Sequence, residues 1–200
     1  MSFRTFTLAL AATLFILPVA AQAQGTQSEG YKFLEAVRSE KGNDIVEMLN
    51  KPGTTVINAR SVTSGESALH IVVQNGNAEY LSFLLSRGAN PNVRDNDGNT
   101  PLLLAAGKGR TDLVEKLLAG KANVNLGNAS RETALIRAVQ RRDLQMVQTL
   151  LTAGADADQV DLSGTSARDY AKRDGRSPAI IKAIDEAPKK PKAAVAGPKF

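Results

Sequence analysis

The sequence predicts an all-α solenoid of stacked helix pairs, on three observations. A hydroxyl residue recurs at Ser67, Thr100, Thr133 and Ser166, three successive steps of 33 residues. Each opens a related stretch: SALHIVVQNGN, TPLLLAAGKGR, TALIRAVQRRD and SARDYAKRDGR. A second apolar segment keeps step downstream, as YLSFLLSRGANPN, LVEKLLAGKANVN and MVQTLLTAGADAD. A period of this length marks a repeat architecture, in which each copy buries its apolar face by stacking on its neighbours.

Residues 1–23 read as a cleavable export signal. Arg4 supplies a positive start, TLALAATLFIL an apolar run, Pro18 a break, and Ala21-Gln22-Ala23 a small-x-small cleavage site, leaving Gln24 as the expected mature N-terminus. The competing reading is a membrane anchor, but the uninterrupted apolar run is shorter than the roughly 20 residues a spanning helix needs. The expected product is therefore soluble, without a stable membrane anchor, and exported to the periplasm. Residues 24–30 read as a linker.

Five units follow, at 31–63, 64–96, 97–129, 130–162 and 163–186. The first, YKFLEAVRSEKGNDIVEMLN, has helical spacing but lacks a Thr-Pro start, and a longer exit loop, 51–63, leaves it. In the clear copies the hydroxyl residue caps a helix N-terminus. Pro101 takes the first helical position, where its missing N–H costs nothing. Ala105 and Ala106, like Ala138 and Ala171, keep that helix thin. Gly76, Gly109 and Gly175 end it in a left-handed conformation. A second helix carries an apolar stripe at Leu81, Leu84 and Leu85, at Val114, Leu117 and Leu118, and at Val147, Leu150 and Leu151. Gly88 or Gly154 stops it, and Asn-x-Asn or Asp-x-Asp pairs shape the turn into the next copy.

The end units are more polar, as the ends of a stack must be. Arg168 replaces the core leucine of Leu69, Leu102 and Leu135, Lys172 replaces a small or apolar residue, and Lys32 and Glu35 polarise the first helix. The final stretch 187–200, APKKPKAAVAGPKF, has too little apolar periodicity to pack and is expected to be a disordered basic tail.

Composition narrows the chemistry. Cysteine is absent and His70 is the one histidine, which removes thiol nucleophiles, disulfides, and most zinc and hydrolase constellations. Neither a metal nor a cofactor is expected. Net charge is +5, but it is unevenly placed. Arg4 lies in the leader, and Lys189, Lys190, Lys192 and Lys199 lie in the tail without an acid among them; residues 24–186 carry 20 basic side chains against all 20 acidic ones. A neutral body argues against a nucleic-acid partner.

These stretches resemble the ankyrin repeat, whose signature is T-P-L-H-x-A, then G, then LL…GA-N. The likeness covers residues 31–186 and implies antiparallel helix pairs in an L-shaped array, with β-turn fingers on the concave side. It also implies that His70 bonds to neighbouring loop backbone rather than to a metal. GKGRTD, Gly107 to Asp112, looks like a phosphate-cradling loop, but its spacing is wrong and a helix precedes it. The pairs Asp95/Asp97 and Asp156/Asp158 sit at recurring turn positions and lack the twelve-residue calcium-loop pattern. Arg131 and Arg142 replace glycines of other copies, and with Arg137 and Arg141 they place four arginines within twelve residues. That cluster reads either as drift or as an exposed patch for a carboxylate-rich partner.

The expected function is a non-enzymatic scaffold, monomeric and periplasmic, that binds a protein partner. The resemblance implies contact through finger tips and first-helix surfaces. Matching positions here are Gln74, Asn75, Asn96, Asp97, Asn99, Gly107, Lys108, Ala129, Ser130, Glu132, Gln140, Arg141, Ser163, Thr165, Arg173 and Asp174. The alternative is an accessory factor in envelope or oxidative-stress defence acting on a periplasmic enzyme, as some exported bacterial ankyrin proteins are linked to peroxide defence.

Overall fold

Every first helix starts by the same local rule, a side-chain oxygen accepting an otherwise unpaired N–H. In the computed structural model, which describes residues 28–187, Ser28 caps α1 (Glu29–Arg38), and Ser67 precedes α3 (Ala68–Asn75). Thr100 caps α5 (Pro101–Lys108), and Thr133 caps α7 (Ala134–Gln140). Ser166 caps α9 (Ala167–Asp174), with the Asp169 carboxylate answering the Ser166 N–H at 3.0 Å. The leader lies outside the described residues, as does the tail beyond Ala187. The linker expected at 24–30 needs correction, because Glu29 and Gly30 already belong to α1.

Each first helix turns back through a left-handed residue into a second: α2 (Gly42–Asn50), α4 (Ala78–Ser86), α6 (Thr111–Ala119), α8 (Leu144–Thr152) and α10 (Pro178–Glu186). The first helices pack side by side as one layer, and α4, α6, α8 and α10 form the second. Between the layers runs one apolar core of Phe33, Ile45, Leu69, Leu81, Leu84, Leu102, Leu113, Leu117, Leu135, Met146 and Leu150, all fully buried. The exit loop after α2 is not featureless: residues Val56–Asn58 form a 3-10 turn that tucks Val56 into the core.

Three ladders fix the register of neighbouring units. At the exit turns, side-chain oxygens of Asn58, Asn92 and Asn125 accept the backbone N–H groups of Asn90, Asn123 and Asp156 at 2.8, 2.7 and 2.7 Å. At the finger tips, Ser64, Asp97 and Ser130 carbonyls accept from Asn96, Ala129 and Leu162 at 3.0, 3.0 and 2.9 Å. At the hairpin end, the Glu40 carbonyl accepts from the Tyr80 hydroxyl at 3.0 Å, Gly76 from Arg110 at 3.1 Å and Gly107 from Arg141 at 3.0 Å.

The finger tips explain two glycines. Gly65 and Gly98 have φ of 72° and 77°. A Cβ on Gly98 would stand 2.6 Å from the Ala129 nitrogen, and one on Gly65 2.4 Å from Asn96 Oδ1. Left-handed backbone and close approach both require glycine there. Four non-glycines adopt the same conformation: Glu40, Lys121, Arg131 and Arg142 (φ 53°, 66°, 61° and 58°). Lys121 stands where Gly88 and Gly154 stop other second helices, and Glu40 where Gly76 ends α3.

Arg168 departs from the expected solvent-facing cap. Its side chain is only 13% exposed, held by Asp158 at 2.7 Å, by Asp185 at 2.6 Å and by the Ile184 carbonyl at 3.3 Å. An arginine in a leucine position survives because two carboxylates and a helix C-terminus meet it there.

Candidate functional site

The inner face is built from the fingers and the exposed side of the first helices. The 33-residue step repeats there as rows of side chains on a rigid frame. Gln74, Gly107, Gln140 and Arg173 form one row; Asn75, Lys108, Arg141 and Asp174 form the next. Gln74, Asn75, Lys108, Gln140, Arg141 and Arg173 are exposed, as are Asn96, Asp97, Ser130 and Ser163 on the fingers, whereas Asp174 is half-buried.

Two sequence-expected contact residues lie inside the protein instead. Asn99, 8% exposed, gives its carbonyl to His70 and its side chain to Asp95 and Arg137. Thr165, 7% exposed, donates its N–H to Asp161. Glu132 is half-buried, and its carboxylate meets Arg137 at 3.3 Å and Asn128 at 3.2 Å. Asn99 is covered by Asn128 and Arg137 of the following unit, whereas Thr165 is enclosed by its own finger through Asp161 and Ser163.

The arginine cluster divides. Arg137 reaches Asn99, Glu132 and the Leu103 carbonyl. Arg142 grips Asp174 through two bonds of 2.8 and 2.6 Å. Where other interfaces set an arginine over the preceding unit's glycine, this one reverses the pairing. Arg131 is exposed and unpartnered among the described residues, and Arg141 is exposed but tied to the Gly107 carbonyl.

His70 is fully buried. Its Nδ1 accepts from the Ser67 N–H at 3.2 Å and meets the Ser67 hydroxyl at 2.8 Å, while Nε2 lies 3.0 Å from the Asn99 carbonyl. That network requires the neutral ring protonated on Nε2. Burial lowers its pKa from 6.5. Asp161 holds the base of the last finger: hydroxyls of Ser163 and Tyr170, each at 2.7 Å, and the N–H groups of Thr165 and Ser163 pull its pKa down to about 2. Both groups shape fingers. Among the described residues no set of three or more His, Asp or Glu converges as a metal site, and no helix is long and apolar enough to cross a membrane.

Sequence reasoning missed the N-terminal end of this face. A cavity of about 440 Å³ opens between α1 and the first finger, lined by Tyr31, Leu34, Arg38, Val62 and Glu66 among others. Val62 is 98% exposed at the finger tip. An apolar residue in the finger stretch SVTSGES was the available signal.

Fold and surface together define a class, that of helical repeat scaffolds with a fingered inner face. The family described as Ankyrin repeats (3 copies) matches overlapping stretches 33–128, 69–161 and 104–186, and the chain belongs to the ankyrin repeat family. Similar proteins include one described as an ankyrin repeat protein of fowlpox virus, 47% identical over 60 residues, 30% of this chain and 17% of that one. The nuclear factor NF-kappa-B p110 subunit of Drosophila melanogaster is 46% identical over 50 residues, 25% of this chain and 5% of its own length. A protein of Acanthamoeba polyphaga mimivirus described as an ankyrin repeat protein is 41% identical over 73 residues, 35% of this chain and 10% of its own. The chain thus spans less than a fifth of these relatives. Ankyrin repeats generally mediate protein–protein interaction, and the family is typically non-enzymatic.

Proposed function

We propose that this chain is a monomeric, non-enzymatic scaffold of the periplasm that binds a protein partner with its inner face. The observation that carries the reading is the pair of polar rows through Gln74, Gln140 and Arg173 and through Asn75, Lys108 and Arg141. They are exposed and repeated on helices whose opposite sides are locked in the core. Ladders at three levels hold those rows rigid, so little ordering cost attends binding. The export pattern of residues 1–23 supports the compartment.

A photocrosslinker placed at Gln140 of the mature chain, set against one at Glu115 on the outer helix α6, tests the surface in periplasmic extract. Adducts at Gln140 and none at Glu115 are expected; the reverse would overturn the inner-face assignment. Fractionation of cells making the full chain tests the compartment. A cytoplasmic product that still carries residues 1–23 would exclude the periplasm.

A further inference from the structure

Within that scaffold reading, the charge on the inner face names a class of partner. We infer that the third to fifth units bind an extended, acidic protein segment whose carboxylates meet Lys108, Arg131, Arg141 and Arg173.

Three arginines of this face are already neutralised. Arg38 is met by Glu35 and Glu66, Arg137 by Glu132, and Arg142 by Asp174. Lys108, Arg131, Arg141 and Arg173 are exposed, and none of them forms an ion pair among the described residues. Arg141 is held in place without being neutralised: one nitrogen donates to the Gly107 carbonyl, and the guanidinium packs where a Cβ on Gly109 would lie 2.4 Å away. Arg173 likewise lies over the Tyr170 ring, 5.7 Å from its centre, beside a depression of about 290 Å³ that Gln140 and Asp174 also line. A cation fixed by a neutral partner loses little freedom when a carboxylate arrives.

Spacing adds a register. Equivalent residues of neighbouring units stand about one helix spacing, roughly 10 Å, apart, and three residues of extended chain cover about the same distance. Lys108 and Arg141 are such equivalents, so carboxylates three residues apart suit them. Asp97, Glu132 and Asp174 interrupt the positive field, which disfavours the continuous phosphate backbone of a nucleic acid.

Fluorescence anisotropy with the peptide Ac-(Glu-Ser-Ser)4-NH2 tests this, with a duplex oligonucleotide as comparator. The mature chain should bind the peptide, more weakly as salt rises. Lys108→Gln and Arg131→Gly remove side chains without internal partners, so the fold is unaffected; each should weaken binding about threefold, and with Arg141→Gln together on the order of 30-fold. Lys182→Gln on α10 should change nothing. Failure of the unaltered chain to bind, equal loss with Lys182→Gln, or tighter binding of the duplex through the same residues would each overturn the inference. So would a partner crosslinked at Gln140 whose affinity ignores the three substitutions, and that result would leave the scaffold reading standing.

Discussion

Replacing Arg168 with leucine restores the residue that the leucine register asks for, yet it should loosen the end of the array. The side chain is 13% exposed and bonds Asp158, Asp185 and the Ile184 carbonyl. Hydrogen bonds to charged groups contribute about 1.5–3 kcal/mol each when desolvated. Both carboxylates are 51% exposed and rehydrate once the arginine is gone, which pulls the net loss down to about 2 kcal/mol. In a stack of near-independent units this loss falls on the last pair rather than on the whole. Amide hydrogen exchange therefore reads it best: α10 amides should exchange about 30-fold faster, with Leu113 and Val114 in α6 unchanged. Asp185→Asn on top of the leucine should add almost nothing. Equal acceleration in α6 and α10, or none in α10, would refute the clamp.

Arg131→Gly relieves a left-handed residue that has no internal partner, and should stabilise the array by about 1 kcal/mol in denaturant melts. Tyr80→Phe deletes the hydroxyl that ties α4 to the Glu40 carbonyl, a loss of about 1 kcal/mol by the same measurement. Acid should destabilise in two stages. Burial holds the folded pKa of His70 below 6.5, so its contribution is intact above pH 6.5 and falls as the unfolded chain takes up the proton below it. Asp161, depressed from 3.8 to about 2, contributes fully above pH 3.8 and loses that contribution toward pH 2. Asp161→Asn should remove most of the second stage in pH-dependent melting; a fall in stability as pH rises from 4 to 7 would contradict the His70 sign, and one from 2 to 4 the Asp161 sign.

Helix positions, caps and the leucine stripes were legible because they follow a 33-residue register that survives in every clear copy. The left-handed turns were legible where glycine marks them, at Gly76, Gly109 and Gly175. They were hidden at Glu40 and Lys121, where an ordinary side chain takes the same conformation. Arg142 looked like part of a patch because its neutraliser, Asp174, sits 32 residues away and only the stack brings it near. Asn99 looked exposed for the same reason, since the arginine that engages it belongs to the next unit. Local pattern fixes which face a residue joins. What covers that face is decided by the neighbouring repeat.

The exit-turn ladder also says where the array can grow. Asn58, Asn92 and Asn125 each offer a side-chain oxygen forward, and the recipient is a backbone N–H, which any unit possesses. A duplicated unit spliced in at 92 or 125 would find its docking bond waiting, whatever its sequence there. Asp158 of the fourth unit occupies the next forward-facing position, and Arg168 of the fifth already holds it. Copy number can therefore change in the middle of the stack by simple duplication, while extension past the fifth unit must first dislodge an ion pair.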